Sequence, residues 1–263
     1  PAEIGSTCPL CRTPWTQSDE EAHERLLEKA RSGKVWAMSM LADQYRDGTG
    51  VAMSSEKAQL WHHKAARLGD AKSCYTIGQQ HERGLEGVSV SRELAMEWYR
   101  KGADMGHSHC QYNLACLYYN GDDTAYTFEE LQGLMKQANA HARFWFEKAA
   151  AQGHPEALLN LGNMHMLGEA GFESSGETAL YFWAQSAAVG GEEGIKKFNA
   201  LVKNCPDMKE YIPCFKCGAV GKIFKCPGCN TAHYCGKECQ KEDWKTHKPI
   251  CNGIGRKKKE KRL

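Results

Sequence analysis

The chain has 263 residues, 41% of them hydrophobic and 25% charged, with a formal net charge of +2. That balance is ordinary for a folded globular protein, and so small a charge sets up no whole-molecule field for nucleic acid or membrane. No apolar run approaches the roughly 18 residues of a membrane span, and no secretory signal precedes the first element. The 13 cysteines suit thiolate ligands in a reducing compartment, so cytoplasm or nucleus is expected.

Residues 1–17 hold an isolated pair, Cys8-Pro9-Leu10-Cys11-Arg12. Two thiols cannot close a zinc shell. The wording resembles the last ligand pair of a RING finger. Two readings stand: residues 1–17 are a RING remnant, as the resemblance implies, with six further ligands upstream of Pro1, a residue that is not an initiator methionine, or the pair is incidental.

From residue 18 to 203 the pattern is helical and periodic. Gly33, Gly69, Gly106, Gly153 and Gly190 recur at intervals of 36, 37, 47 and 37 residues. Alanine stands three residues before each (Ala30, Ala66, Ala103, Ala150, Ala187) and eleven before each (Ala22, Ala58, Ala95, Ala142, Ala179). Eight before stands an aromatic in four cases (Trp61, Trp98, Trp145, Phe182) and Arg25 in the fifth. Eight beyond the first four glycines come Leu41, Ile77, Leu114 and Leu161, and nine beyond come Ala42, Gly78, Ala115 and Gly162. Fifteen beyond is a second glycine: Gly48, Gly84, Gly121, Gly168. Aligned columns of this kind mark internal repeats.

Each half-repeat reads as a helix of about 12 to 15 residues closed by a left-handed glycine. The alanines let two helices approach, and the aromatic eight before the glycine is expected to fill the gap to the next pair. One hairpin cannot bury its apolar face, so hairpins stack into a right-handed superhelix. The expected order is a leading helix over 18–32, four hairpins over 35–189 and a closing helix over 192–203. The third unit carries a ten-residue insertion between Gly121 and Gln137. Residues 127–136 there are expected to extend the helix that carries Trp145. The plan is similar to the 34-residue tetratricopeptide repeat, and its wording resembles Sel-one-like repeats. The fold class is therefore mostly α, an α-α superhelical solenoid whose concave face would receive protein partners.

Nine of the eleven histidines fall in this array. His81 and His165 share a column with Tyr45 and Tyr118, which points to packing rather than metal or acid/base work. Cys110 shares its column with Ala37, Ser73 and Ala157, and Cys74 shares its own with Met38 and Leu158, so both are expected to be buried small residues. No nucleophile motif, phosphate-binding glycine loop or carboxylate dyad emerges, so no enzyme activity is expected of the chain as it stands.

Residues 204–213 read as a linker, and 214–251 carry the densest chemistry. Eight thiol or imidazole groups stand there in four pairs: Cys214/Cys217, Cys226/Cys229, Cys235/Cys239 and His247/Cys251. Two or three residues between partners let both donors reach one ion. Eight donors fill two tetrahedral shells and leave no open position, which is the arithmetic of structural zinc. The order of pairs resembles the MYND zinc finger at all eight positions. The resemblance implies a two-zinc cross-brace in which Cys214, Cys217, Cys235 and Cys239 share one ion, and Cys226, Cys229, His247 and Cys251 the other. It also implies binding of short proline-containing peptides, with Gln240 and Trp244 lining a groove from one face of the helix that Cys239 is expected to begin.

The tail, 252–263, is strongly basic and reads as a solvated end, with at most a weak nucleic-acid contact or an import signal. Both folded modules make surfaces and neither makes a reaction centre. The expected function is a zinc-binding interaction scaffold or adaptor. The alternative is the substrate-choosing part of a RING-type ubiquitin ligase. A MYND-containing lysine methyltransferase ranks last, because repeats occupy the place its β-rich SET domain would need.

Overall fold

A computed structural model of the chain describes residues 19–121, 128–204, 214, 224–226, 233–234, 237–242 and 248. The chain divides into two compact units, residues 1–110 and 111–263. The first holds α1 (Asp19–Arg31), α2 (Val35–Asp47), α3 (Ser55–Arg67), α4 (Ala71–Arg83) and α5 (Arg92–Asp104). Helix α6 (Ser108–Tyr119) begins at the end of the first unit and runs into the second. The second unit continues with α7 (Phe128–Ala151), α8 (Pro155–Leu167), α9 (Gly176–Ala188) and α10 (Glu192–Asn204). Two short strands follow, β1 (Phe224–Lys225) and β2 (His233–Tyr234). Within each unit the helices pack on their sequence neighbours, α1 to α5 in the first and α7 to α10 in the second.

Helix starts and stops are written into the repeat. Ser54, Ser91 and Ser175 precede α3, α5 and α9 in extended conformation, and each hydroxyl accepts the backbone N–H three residues on. Such a cap is worth about 1 kcal/mol. Gly33, Gly69, Gly106, Gly153 and Gly190 all have φ between 77° and 91°. The residue after each donates its N–H to a carbonyl five positions back, as from Asp70 to Ala65, His107 to Gly102 and His154 to Ala149. This is the Schellman stop, which only a left-handed residue completes without strain. Helix α7 spans 24 residues, so the insertion does lengthen the helix that carries Trp145.

The aromatic column does pack between successive pairs, as Trp98 does on Ala66, but it is not the most deeply buried column. Trp145 is buried, whereas Trp61, Trp98 and Phe182 are half-buried. The ring at the centre of each hairpin is the next residue, seven before the glycine: His62, Tyr99 and Phe146 are wholly buried and Trp183 nearly so. A 100° step along the helix moves that side chain from the flank to the middle of the contact. Its seat is the small column nine beyond the previous glycine. A Cβ built on Gly78 would lie 2.5 Å from the Tyr99 ring, and one on Gly162 would lie 2.4 Å from the Trp183 ring. Backbone and ring are in direct contact at both places.

Cys74 and Cys110 are fully buried, as their columns imply, and Cys110 Sγ lies against Gly102 and the Ala71 carbonyl. Both thiols are free, and burial pushes the Cys74 thiol up to about 11. His165 packs between Phe172 and Phe182, with ring centroids at 3.9 and 5.4 Å, which is the packing role its column implies.

Candidate metal centre and interaction surfaces

The first expected donor of the finger, Cys214, stands ten residues beyond the end of α10. Strands β1 and β2 pair antiparallel with Phe224 opposite Tyr234 and Lys225 opposite His233. This hairpin places Cys226 at the end of its first strand, and Cys235 follows its second in sequence. Residues 237–242 are helical, so the helix is already under way at Cys239 rather than beginning there. Among the expected ligands, Cys214 and Cys226 are buried and Cys239 is half-buried. Cys217, Cys229, Cys235, His247 and Cys251 lie outside the described residues, as do Trp244, the Cys8/Cys11 pair and the basic tail.

This donor chemistry fits zinc. Cysteine side chains withdrawn from water, as Cys214 and Cys226 are, suit a closed thiolate shell. Among the described residues no three histidine, cysteine or acidic side chains converge on one point. Five of the eight expected donors lie outside those residues. Gln240 is half-buried beside Cys239 on the short helix.

In the array, two features bear on binding. Trp36 and Met40 stand four apart on α2, 55% and 51% exposed. Residues four apart share a helix face, so the two form an exposed apolar pair on α2. They fall outside every recurrent column, and that departure from the repeat is the sequence signal that finds them. In the second unit a groove of about 280 Å³ lies between α7 and α9, lined by Ala150, Leu158, Leu161, Tyr181 and Phe182 with Glu147 and Gln185 among its polar lining.

The array also buries charge chemistry. His62 is fully buried, with Nδ1 3.2 Å from Ser73 Oγ and Nε2 3.8 Å from Asp43. Asp43 meanwhile pairs with Arg46 at 2.9 Å and Lys72 at 2.6 Å. Burial dominates, with the two cations adding to it against Asp43, and the imidazole pKa falls to about 4. His62 is therefore a neutral packing group at physiological pH, not a base poised for catalysis.

Known proteins agree with this architecture. The family model for the Sel1 repeat matches residues 37–70, 71–107, 108–154 and 155–190, and the MYND finger model matches residues 214–251. A Sel1 repeat protein from Oxalobacter formigenes superposes with a TM-score of 0.60 at 24% identity, over 72% of this chain and 70% of that one. This likeness establishes the fold: a helix-hairpin repeat solenoid. Tudor domain-containing protein 1 of Oryzias latipes is 46% identical over 41 residues, 16% of this chain and 4% of that protein. Histone-lysine N-methyltransferase ASHR1 of Arabidopsis thaliana is 41% identical over 49 residues, 19% of this chain and 10% of that protein. The chain thus spans a tenth or less of the length of these two curated relatives. With four matched repeats covering more than half of its residues, the chain belongs to the Sel1 repeat family and carries a MYND-type zinc finger after its repeats.

Proposed function

We propose that this protein is a zinc-binding scaffold that brings protein partners together through two surfaces, the repeat array and the finger. The observation that carries the reading is the pairing itself: four Sel1 repeats and a MYND finger, both interaction modules, in one chain. Within the finger, the eight donors from Cys214 to Cys251 hold two zinc ions, which supply folding free energy of about 10–16 kcal/mol per ion. Gln240 and Trp244 bind a short proline-containing peptide, whose extended backbone is ordered before it docks. The exposed Trp36 and Met40 support a separate contact on the array. A reducing compartment, cytoplasm or nucleus, suits the thiolate ligands.

Two measurements test this. Metal analysis of protein purified under reducing conditions should find two zinc ions per chain; one or none contradicts the donor assignment. A Gln240→Ala, Trp244→Ala double variant should lose binding to proline-rich peptides at least tenfold while keeping its zinc. Peptide binding at wild-type strength in that variant removes the groove.

A further inference from the structure

We propose that the finger is the C-terminal cap of the repeat array: it covers the face of α10 that a partner helix covers in a complete hairpin, and zinc in the finger keeps that face closed.

Helix α10 is the first half of a repeat without a second half. Counted from Gly190, it places Gly194, Ile195 and Phe198 where α8 places Ala157, Leu158 and Leu161 counted from Gly153. Val202 follows at the position of His165. The matched repeats nevertheless end at residue 190. Gly194 approaches Ser186 of α9 so closely that a Cβ there would stand 2.3 Å from its hydroxyl oxygen, so one side of α10 is seated as in any repeat. In a complete repeat the next helix then inserts a ring against the position nine beyond the glycine, as Trp183 does on Gly162. On α10 that position is Asn199, and it is exposed. Among the described residues no ring arrives there.

The finger arrives instead. Cys214 and Cys226 form one contiguous buried cluster with Leu180, Trp183, Ala187 and Phe198, and Ile195, Leu201, Val202 and Cys239 pack against it. The cysteines expected to hold metal are thus part of the core that ends the array. A solenoid needs such a terminal cap, because its last helix otherwise leaves its apolar stripe in water. A finger of this size has little core of its own and holds its shape through metal. Zinc binding and the order of α10 are therefore coupled, and the coupling is reciprocal.

The inference rests on the zinc reading above, and one experiment on the full chain separates the two. Hydrogen exchange is followed with and without a chelator, and zinc is counted in the same samples. Zinc removal should speed exchange in residues 192–204 by about tenfold or more while leaving α3 to α5 unchanged, since solenoid contacts run between neighbours. Unchanged exchange in 192–204 after verified loss of zinc overturns the cap. Protein that never held zinc overturns the zinc reading, and the metal-dependent cap with it. From the array side, Val202→Ser and Leu201→Ser should each release zinc to a chromophoric chelator several-fold faster. Release at the wild-type rate from a variant with wild-type helical circular dichroism also overturns the proposal.

Discussion

Tyr99 and Trp98 are neighbours in sequence with different duties. Tyr99 is fully buried on Gly78, and its hydroxyl donates to Glu82 at 2.6 Å. Trp98 is half-buried, with the Lys101 ammonium 4.1 Å from its ring centroid. Tyr99→Ala should therefore cost about 3–5 kcal/mol. Trp98→Ala, although it removes the larger side chain, should cost less than half of that. Urea denaturation of the two variants side by side decides the order, and equal losses would return the central role to the tryptophan column. His62 yields a pH prediction. Its folded pKa of about 4 lies below the ordinary 6.5, so the unfolded chain takes up a proton in that window that the folded chain refuses. Stability falls as pH drops from 6.5 toward 4 and levels off below, by at most about 3 kcal/mol from this residue. His62→Gln, which keeps an amide for Ser73, should flatten that slope in unfolding midpoints compared at pH 7 and pH 5.

At the scale of elements, the groove between α7 and α9 has a counterpart in the first unit. There Trp98 packs against Ala66, Cys74 and Ile77, the positions that Ala150, Leu158 and Leu161 hold in the second unit. Phe182 occupies the tryptophan position, stacked on His165 at 5.4 Å, and a phenyl leaves open the space an indole takes. Phe182→Trp should fill part of the groove and raise stability by about 0.5–2 kcal/mol, read as a higher thermal midpoint. A lower midpoint would mean that the helices close on the phenyl more tightly than the tryptophan permits. Helix boundaries were legible before any coordinates, because serine caps and left-handed glycines are local chemistry that leaves a fixed residue type at a fixed offset. The column seven before each glycine was not. It reads Leu26, His62, Tyr99, Phe146, Trp183, five residue types that share only size and burial. A search for recurring letters passes over it and settles on the tryptophans beside it, of which Trp145 is buried and Trp61 and Trp98 half-buried.

For the molecule as a whole, the two modules were legible and their junction was not. Helical periodicity and paired metal donors each announce themselves within a short window, whereas the packing of Cys214 and Cys226 against Phe198 is a tertiary fact. Residues 204–213 read as a linker, and nothing in their composition tells that the segment they lead to finishes the core of the array. The exposed Trp36 and Met40 were legible only by subtraction, as residues left over once the recurrent columns are assigned. A tryptophan in a helix of alternating alanine and methionine looks like core until the small columns have used up the inward face.

The contact between Gly78 and Tyr99, repeated by Gly162 and Trp183, also restricts the routes by which this chain can change. Where the seat is alanine, at Ala42 and Ala115, the residue in the ring column is His62 or Phe146, smaller than its counterpart opposite a glycine. Passing from one arrangement to the other takes two substitutions, and they are not interchangeable in time. Adding the methyl first drives a carbon into an aromatic face; trimming the ring first leaves a void that the methyl then fills. The same pair of mutations is thus harmful in one order and passable in the other, and descendants of this sequence must shrink the ring before they enlarge its seat.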